Sequence, residues 1–122
     1  MPSRPSPVVL VVEDEALIAL DLESSLTDAG FDVVGPVLSV KEALARIGSY
    51  RLDAAVLDIK LRQEMVFPVA DALAALGVPF VLVTGQSRAL LPDHLRDRPI
   101  ILKPYPKMEL MSALRKLIEV PE

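Results

Sequence analysis

Five short apolar runs, four of them followed by a segment with clear helical spacing, constrain the fold of this chain more than any other feature. The runs are rich in β-branched residues and are bounded by proline, glycine or charged residues, a pattern typical of strands buried on both faces. The connections between them are too long for hairpins, which predicts parallel pairing. The predicted strands are Val8–Val12, Asp32–Val37, Ala54–Leu57, Phe80–Val83 and Pro99–Leu102.

Helix signals fill the segments between the strands. The first helix is expected to end at Gly30, and Ser39 with Glu42 three residues later predicts a capping box at the start of the second. We expect the second helix to end at Gly48 and the third at Gly77. The alternation of strand and helix therefore predicts a doubly wound α/β fold with helices on both faces of the sheet.

The last two helices differ in the strength of their signals. Residues 87–91 predict only a short or absent fourth helix, because Pro92 stops the pattern. Residues 110–118 carry a clear apolar face and predict a final helix that ends before Pro121.

Composition limits the class of protein. The 122 residues suit one domain, since domains cluster near roughly 100 to 150 residues. A net charge of −4 argues against nucleic-acid binding, and no apolar run is long enough for a membrane span. The absence of cysteine excludes disulfides and thiolate metal sites, and it fits a cytoplasmic location.

Chemically reactive residues follow four of the five predicted strands. They are Glu13 and Asp14 after the first strand, Asp58 after the third, Thr84 after the fourth and Lys103 after the fifth. In doubly wound sheets, ligands bind beyond the carboxyl ends of the strands. Function is therefore expected at this edge.

Charge crowding at that edge predicts a bound proton or a bound cation. If the first strand lies beside the third, carboxylates ~5 Å apart repel by roughly 3 kcal/mol at an effective dielectric of ~20. One lysine does not offset three acids, so either one acid takes up a proton or a hard divalent cation binds the cluster. Oxygen ligands without nearby cysteine or histidine favour Mg²⁺.

Such a site suits an aspartate that accepts a phosphoryl group. One aspartate of the cluster would form an acyl phosphate, while Mg²⁺ and Lys103 would neutralise charge on the phosphoryl oxygens. Thr84 would donate a hydrogen bond to one of these oxygens. The cation and Lys103 would also allow an acidic chain to attract phosphate.

Four motifs resemble the receiver domain of two-component response regulators. They are Val-Val-Glu-Asp-Glu at 11–15, Val-Leu-Asp-Ile-Lys-Leu at 56–61, Val-Thr-Gly at 83–85 and Leu-Lys-Pro-Tyr at 102–105. The resemblance implies a flavodoxin-like (βα)5 three-layer sandwich with the parallel strand order 2-1-3-4-5. We further expect a flexible tail at residues 1–7 and one receiver domain at residues 8–120, without an output domain.

The resemblance implies a role for each acidic residue. Asp58 is the phosphoacceptor. Asp14, Asp58 and the backbone carbonyl of Lys60 are expected to ligate Mg²⁺, and Glu13 is expected to act through a bound water.

The resemblance likewise implies a switch. Thr84 and Lys103 are expected to contact the phosphoryl group, and Tyr105 is the aromatic residue that swings inward as Thr84 moves. The Lys103–Pro104 peptide bond is expected to be cis, which only an X-Pro bond tolerates at low cost.

The function implied is that of a phosphoacceptor switch protein rather than an enzyme. Its partners are expected to be a histidine kinase or phosphotransfer protein and an unidentified downstream protein. The chain would signal by phosphorylation-dependent contact, or act as a phosphate sink or relay. A monomer or a phosphorylation-dependent dimer is expected, with no direct nucleic-acid or membrane contact.

A narrower resemblance is to the FATGUY subfamily, mostly stand-alone receivers of alphaproteobacteria. It rests on residues 79–85, preceded by 68–73 and followed by 98–99 and 103–105. Partners of this subfamily are often HWE or HisKA2-type kinases. Gln86 replaces the aromatic residue that follows glycine in the subfamily, and Lys60 is basic where many receivers carry a small or polar residue.

Two alternatives differ in what they require of the site. A receiver-fold binding module that works without phosphorylation would not need the complete set of acids, threonine and lysine. A phosphatase of the haloacid dehalogenase kind would need a second aspartate two residues after the nucleophile, where this chain has Lys60.

Overall fold

A five-stranded parallel sheet forms the centre of the computed structural model, which describes residues 6–85, 91–104 and 106–118. The described strands, including two short ones outside this sheet, are β1 (Val8–Val12), β2 (Asp32–Val37), β3 (Ala54–Asp58), β4 (Lys60–Leu61), β5 (Glu64–Met65), β6 (Phe80–Thr84) and β7 (Ile100–Leu102). The sheet order is β2-β1-β3-β6-β7, and β4 and β5 form a separate antiparallel pair. This order confirms the predicted flavodoxin-like, doubly wound fold.

Two layers of helices cover the sheet. The helices are α1 (Ala16–Asp28), α2 (Val40–Ser49), α3 (Phe67–Ala75) and α4 (Lys107–Ile118). Apolar residues of α1 and α4 pack on one face, and those of α2 and α3 pack on the other. Every residue of β3 and β6 is buried, which explains why these strands read as continuous apolar runs.

The helix ends agree with the sequence except at Gly48. Gly30 and Gly77 follow α1 and α3 with positive φ, and the Ser39 hydroxyl accepts the Glu42 backbone N–H at 3.2 Å at the start of α2. Gly48 was expected to end α2, but the helix continues to Ser49, whose hydroxyl donates to the Ala45 carbonyl. The prediction for Gly48 is therefore wrong.

After β3 and β6 the chain forms two short elements that the sequence did not predict, a hairpin and a 3₁₀ helix. The β4–β5 hairpin turns at Arg62 and Gln63, directly after the strand that ends on Asp58. The predicted fourth helix lies largely in residues 86–90, outside the described residues, and a short 3₁₀ helix follows at Asp93–Leu95. In the described part of the chain, no helix has both the length and the apolar character that a bilayer crossing requires.

Candidate functional site

Three of the predicted site residues meet because they share one face of the sheet. Side chains alternate along a strand, so a residue lies on the same face as the residue two positions earlier. The residues two positions before Glu13, Asp58 and Lys103 all pack toward α1 and α4; they are Val11, Val56 and Ile101. Glu13, Asp58 and Lys103 thus continue this face at the carboxyl ends of three strands.

The Lys103 ammonium is the centre of the site. Its Nζ lies 3.1 Å from Oδ2 of Asp58, 3.1 Å from Oε1 of Glu13 and 3.8 Å from Oε1 of Glu15. Glu13 and Asp58 are buried, at 2% and 6% exposure. The Lys103 side chain is 19% exposed, so the ion pairs are only weakly screened by water.

Asp14 completes the acidic cluster from the loop between β1 and α1. Its Oδ2 accepts the backbone N–H of Arg62, and the Arg62 Nε lies 3.9 Å from the same oxygen. One carboxylate oxygen from each of Glu13, Asp14 and Asp58 lies within 4.8 Å of the others. The predicted proximity of these acids is therefore present in the structure.

Thr84 stands at the end of the neighbouring strand. It is 5% exposed and lies one residue beyond Val83, which pairs with Asp58. Its carbonyl accepts the Lys103 backbone N–H at 2.8 Å, which fixes the start of the loop that carries Lys103. The backbone thus holds Thr84 and Lys103 together at the same edge.

The electrostatics make Asp58 easier to protonate than an ordinary aspartate when no cation is bound. Burial, a hydrogen bond with Glu13 and the like charge of Glu13 together raise the pKa of Asp58 from 3.8 to about 7. Lys103 acts in the opposite direction but does not cancel it. Burial lowers the pKa of Lys103, yet the Asp58 and Glu13 carboxylates outweigh burial, and that pKa lies above its ordinary value.

The donor set fits a hard divalent cation. Three carboxylates converge, and the described residues include no other group of three or more histidine, cysteine or acidic side chains arranged to hold a metal ion. Burial and the like charge of Glu13 raise the Asp58 pKa, and a bound cation would relieve this crowding of negative charge. A cation would therefore compete with the proton for this site.

The predicted roles of two participants, Lys60 and Tyr105, stay predictions. The Lys60 side chain is exposed, and the prediction there concerns only its backbone carbonyl. Tyr105 lies outside the described residues. The Lys103–Pro104 bond is cis, as expected.

Sequence reasoning missed Arg62 and Glu15 as neighbours of the site. Arg62 reaches Asp14 across 48 positions in the chain, and nothing in the local pattern signals that contact. Glu15 directly follows Glu13 and Asp14, so the sequence alone could have predicted that it lies near the site. Its ion pair with Lys103 depends on the fold.

Comparison with known proteins places this geometry in a family. No family model matches the chain. The solution structure of SdrG from Sphingomonas melonis Fr1 is 42% identical and covers 96% of this chain and 100% of that chain, with a TM-score of 0.81. A response regulator receiver protein from Sinorhizobium medicae WSM419 is 30% identical and covers 93% of this chain and 94% of that chain, with a TM-score of 0.81. The chain belongs to the response regulator receiver family.

Two further comparisons concern an activated form of a relative and the length of a longer relative. A BeF3-activated conformation of SdrG from Pseudomonas melonis Fr1 matches with 42% identity and a TM-score of 0.77 over 92% of this chain and 96% of that chain. The transcriptional regulatory protein PdtaR of Mycobacterium tuberculosis is 29% identical over 110 residues, 87% of this chain and 54% of that protein. The chain therefore spans about half the length of the curated relatives it matches.

Proposed function

We propose that this receiver accepts a phosphoryl group from a histidine kinase on Asp58, in a Mg²⁺-dependent step of a two-component phosphorelay. The observation that carries the proposal is the buried Asp58 carboxylate, paired with Lys103 at 3.1 Å and crowded by Glu13 and Asp14. A buried acid with a pKa near 7 beside a lysine is expensive to maintain for stability alone, which favours a chemical role.

Asp14 and Asp58 would hold Mg²⁺ directly, Glu13 through a water, and Lys60 through its backbone carbonyl. The hairpin register supports the role of Lys60. The Ile59 carbonyl accepts the Val66 N–H within the hairpin, and carbonyls alternate in direction along a strand, so that of Lys60 points away from β5. When bound, Mg²⁺ supplies charge neutralisation for the phosphoryl oxygens.

The Asp58 carboxylate would act as the nucleophile. One of its oxygens forms a bond to phosphorus as the bond between phosphorus and the donor nitrogen of the kinase histidine breaks. Lys103 already lies at hydrogen-bond distance from Asp58, so its ammonium can follow the charge that moves to the phosphoryl group. Thr84 would donate its hydroxyl to another phosphoryl oxygen.

Phosphorylation would act as a switch through Thr84 and Tyr105. A phosphoryl group that binds Thr84 in only one of two arrangements favours that arrangement. That SdrG has a BeF3-activated conformation supports an activated state in this chain as well. We propose that the switched form contacts a downstream protein, or that the chain acts as a phosphate sink or relay.

The narrower assignments rest on sequence. Residues 79–85 support membership of the FATGUY subfamily and, with it, an HWE or HisKA2-type kinase as the partner. The lack of cysteine supports a cytoplasmic location. Either a monomer or a phosphorylation-dependent dimer is compatible with these roles.

Incubation with MgCl₂ and acetyl phosphate tests the function. Intact-mass spectrometry should show one added phosphate on the wild type and on Asp97→Asn, a control that removes an exposed acid away from the site. Asp58→Asn should gain none. A wild type that stays unmodified while another receiver is phosphorylated in parallel would contradict the proposal and favour a phosphorylation-independent binding module.

A further inference from the structure

The β4–β5 hairpin contacts one edge of the proposed metal site. Its tip residue Arg62 donates its backbone N–H to one oxygen of Asp14, and its guanidinium forms an ion pair with the same oxygen, with Nε 3.9 Å away. The Asp14 side chain is only 9% exposed, whereas that of Arg62 is 81% exposed. A nearly buried carboxylate assigned to the cation is therefore already engaged by the hairpin.

The position of the hairpin depends on a few contacts. Strands of two residues are not stable by themselves, so their placement must come from the surroundings. Leu61 is buried in the core, and the Glu64 carboxylate accepts the Val40 backbone N–H at 3.0 Å at the start of α2. The hairpin is thus tied to Asp14 at its tip and to α2 through β5.

We propose that this hairpin is a latch on the cation site, in which Arg62 holds Asp14 until a divalent cation takes it. The inference rests on the proposed function, because it concerns the same cation. A guanidinium and a divalent cation repel each other when both approach one carboxylate, so each weakens the binding of the other. Because Glu64 accepts the Val40 backbone N–H, release of the hairpin tip would also change the contacts at the N-terminus of α2.

A titration with MgCl₂ followed by NMR tests the latch on the full chain. The Asp14 and Asp58 backbone amides give the Kd, and Arg62→Gln removes the charge while keeping the backbone N–H. Arg51→Gln is the matched control, since it loses the same charge from an exposed position before β3, at the opposite edge of the sheet. Because the Arg62 side chain is exposed and screened, we expect binding about threefold tighter in Arg62→Gln than in Arg51→Gln.

The hairpin amides provide the second readout. The Arg62 amide should move upfield with the same Kd as the Asp14 amide, because its hydrogen bond to Asp14 is lost. Equal Kd values in the two variants, or an Arg62 amide that does not move while that of Asp14 does, would overturn the latch alone. A wild type whose Asp14 and Asp58 amides do not respond to Mg²⁺ would overturn the proposed function and the latch together.

Discussion

The surroundings of Asp58 affect its negative charge in two ways: burial and Glu13 disfavour the charge, and Lys103 favours it. Burial and Glu13 raise its pKa from 3.8 to about 7 against the influence of Lys103. The folded protein therefore binds this proton more tightly than the unfolded chain does. The stability that this group contributes is complete below about pH 4 and is lost as the pH rises through about 7. A cation in the site would replace the lost proton.

The substitution Asp58→Asn should stabilise the metal-free protein at pH 8 by about 2 kcal/mol, because it removes a buried charge. Lys103 keeps Glu13 as a partner at 3.1 Å. The gain should shrink at pH 5, where Asp58 of the wild type is protonated. Urea unfolding in EDTA at both pH values measures the difference. A variant less stable than the wild type at pH 8 would show that the ionised Asp58 is net stabilising.

At the scale of elements, the sequence predicted the helices, which depend on periodicity, and missed the β4–β5 hairpin, which depends on long-range contacts. The apolar spacing of α1 and α4 was sufficient to place both helices. The β4–β5 hairpin has no asparagine or glycine at its turn, and its tip at Arg62 is held by Asp14 rather than by local turn chemistry. Gly48 resembled a helix end, but the backbone there continues as helix to Ser49.

Two glycines in β2 and α2 should respond in opposite ways to alanine. Gly35 has φ +104°, and a Cβ there would lie 2.7 Å from the Val37 backbone N and 2.8 Å from the Val11 carbonyl oxygen. Gly35→Ala should therefore lower the free energy of unfolding by about 2 kcal/mol or more. Gly48→Ala has open space inside a helix and should raise it by about 0.5 to 1 kcal/mol.

Chemical denaturation of the two variants beside the wild type measures both effects. If Gly35→Ala unfolded at the same urea concentration as the wild type, the close approach of β2 to β1 would be contradicted. If Gly48→Ala were less stable than the wild type, the helical conformation at residue 48 would be contradicted.

For the whole molecule, the sequence predicted the sheet and the edge at which the site lies, because both follow from strand count and the parallel connections. The meeting of Glu13, Asp58 and Lys103 depends in addition on the strand order, which the family resemblance implied, and on the shared face that each residue continues. The sharing of Lys103 among three carboxylates could not be predicted, because the directions of long side chains depend on packing.

Binding of Mg²⁺ should stabilise the whole domain. At a free concentration one hundred times its Kd, Mg²⁺ should raise the free energy of unfolding by about 2.7 kcal/mol, because it binds the folded state. Asp14→Asn should remove most of this gain, whereas Asp97→Asn should keep it. Urea titrations with MgCl₂ or EDTA measure the gain, and an equal response of the two variants would exclude Asp14 as a ligand.

The site of phosphorylation tests the account most directly. After incubation with acetyl phosphate, borohydride reduction converts an aspartyl phosphate into homoserine, which peptide mass spectrometry locates. We predict homoserine at position 58 when Mg²⁺ is present and none when EDTA replaces it. Homoserine at another aspartate, or equal amounts at position 58 with and without Mg²⁺, would contradict the assignment of Asp58 as a magnesium-dependent phosphoacceptor.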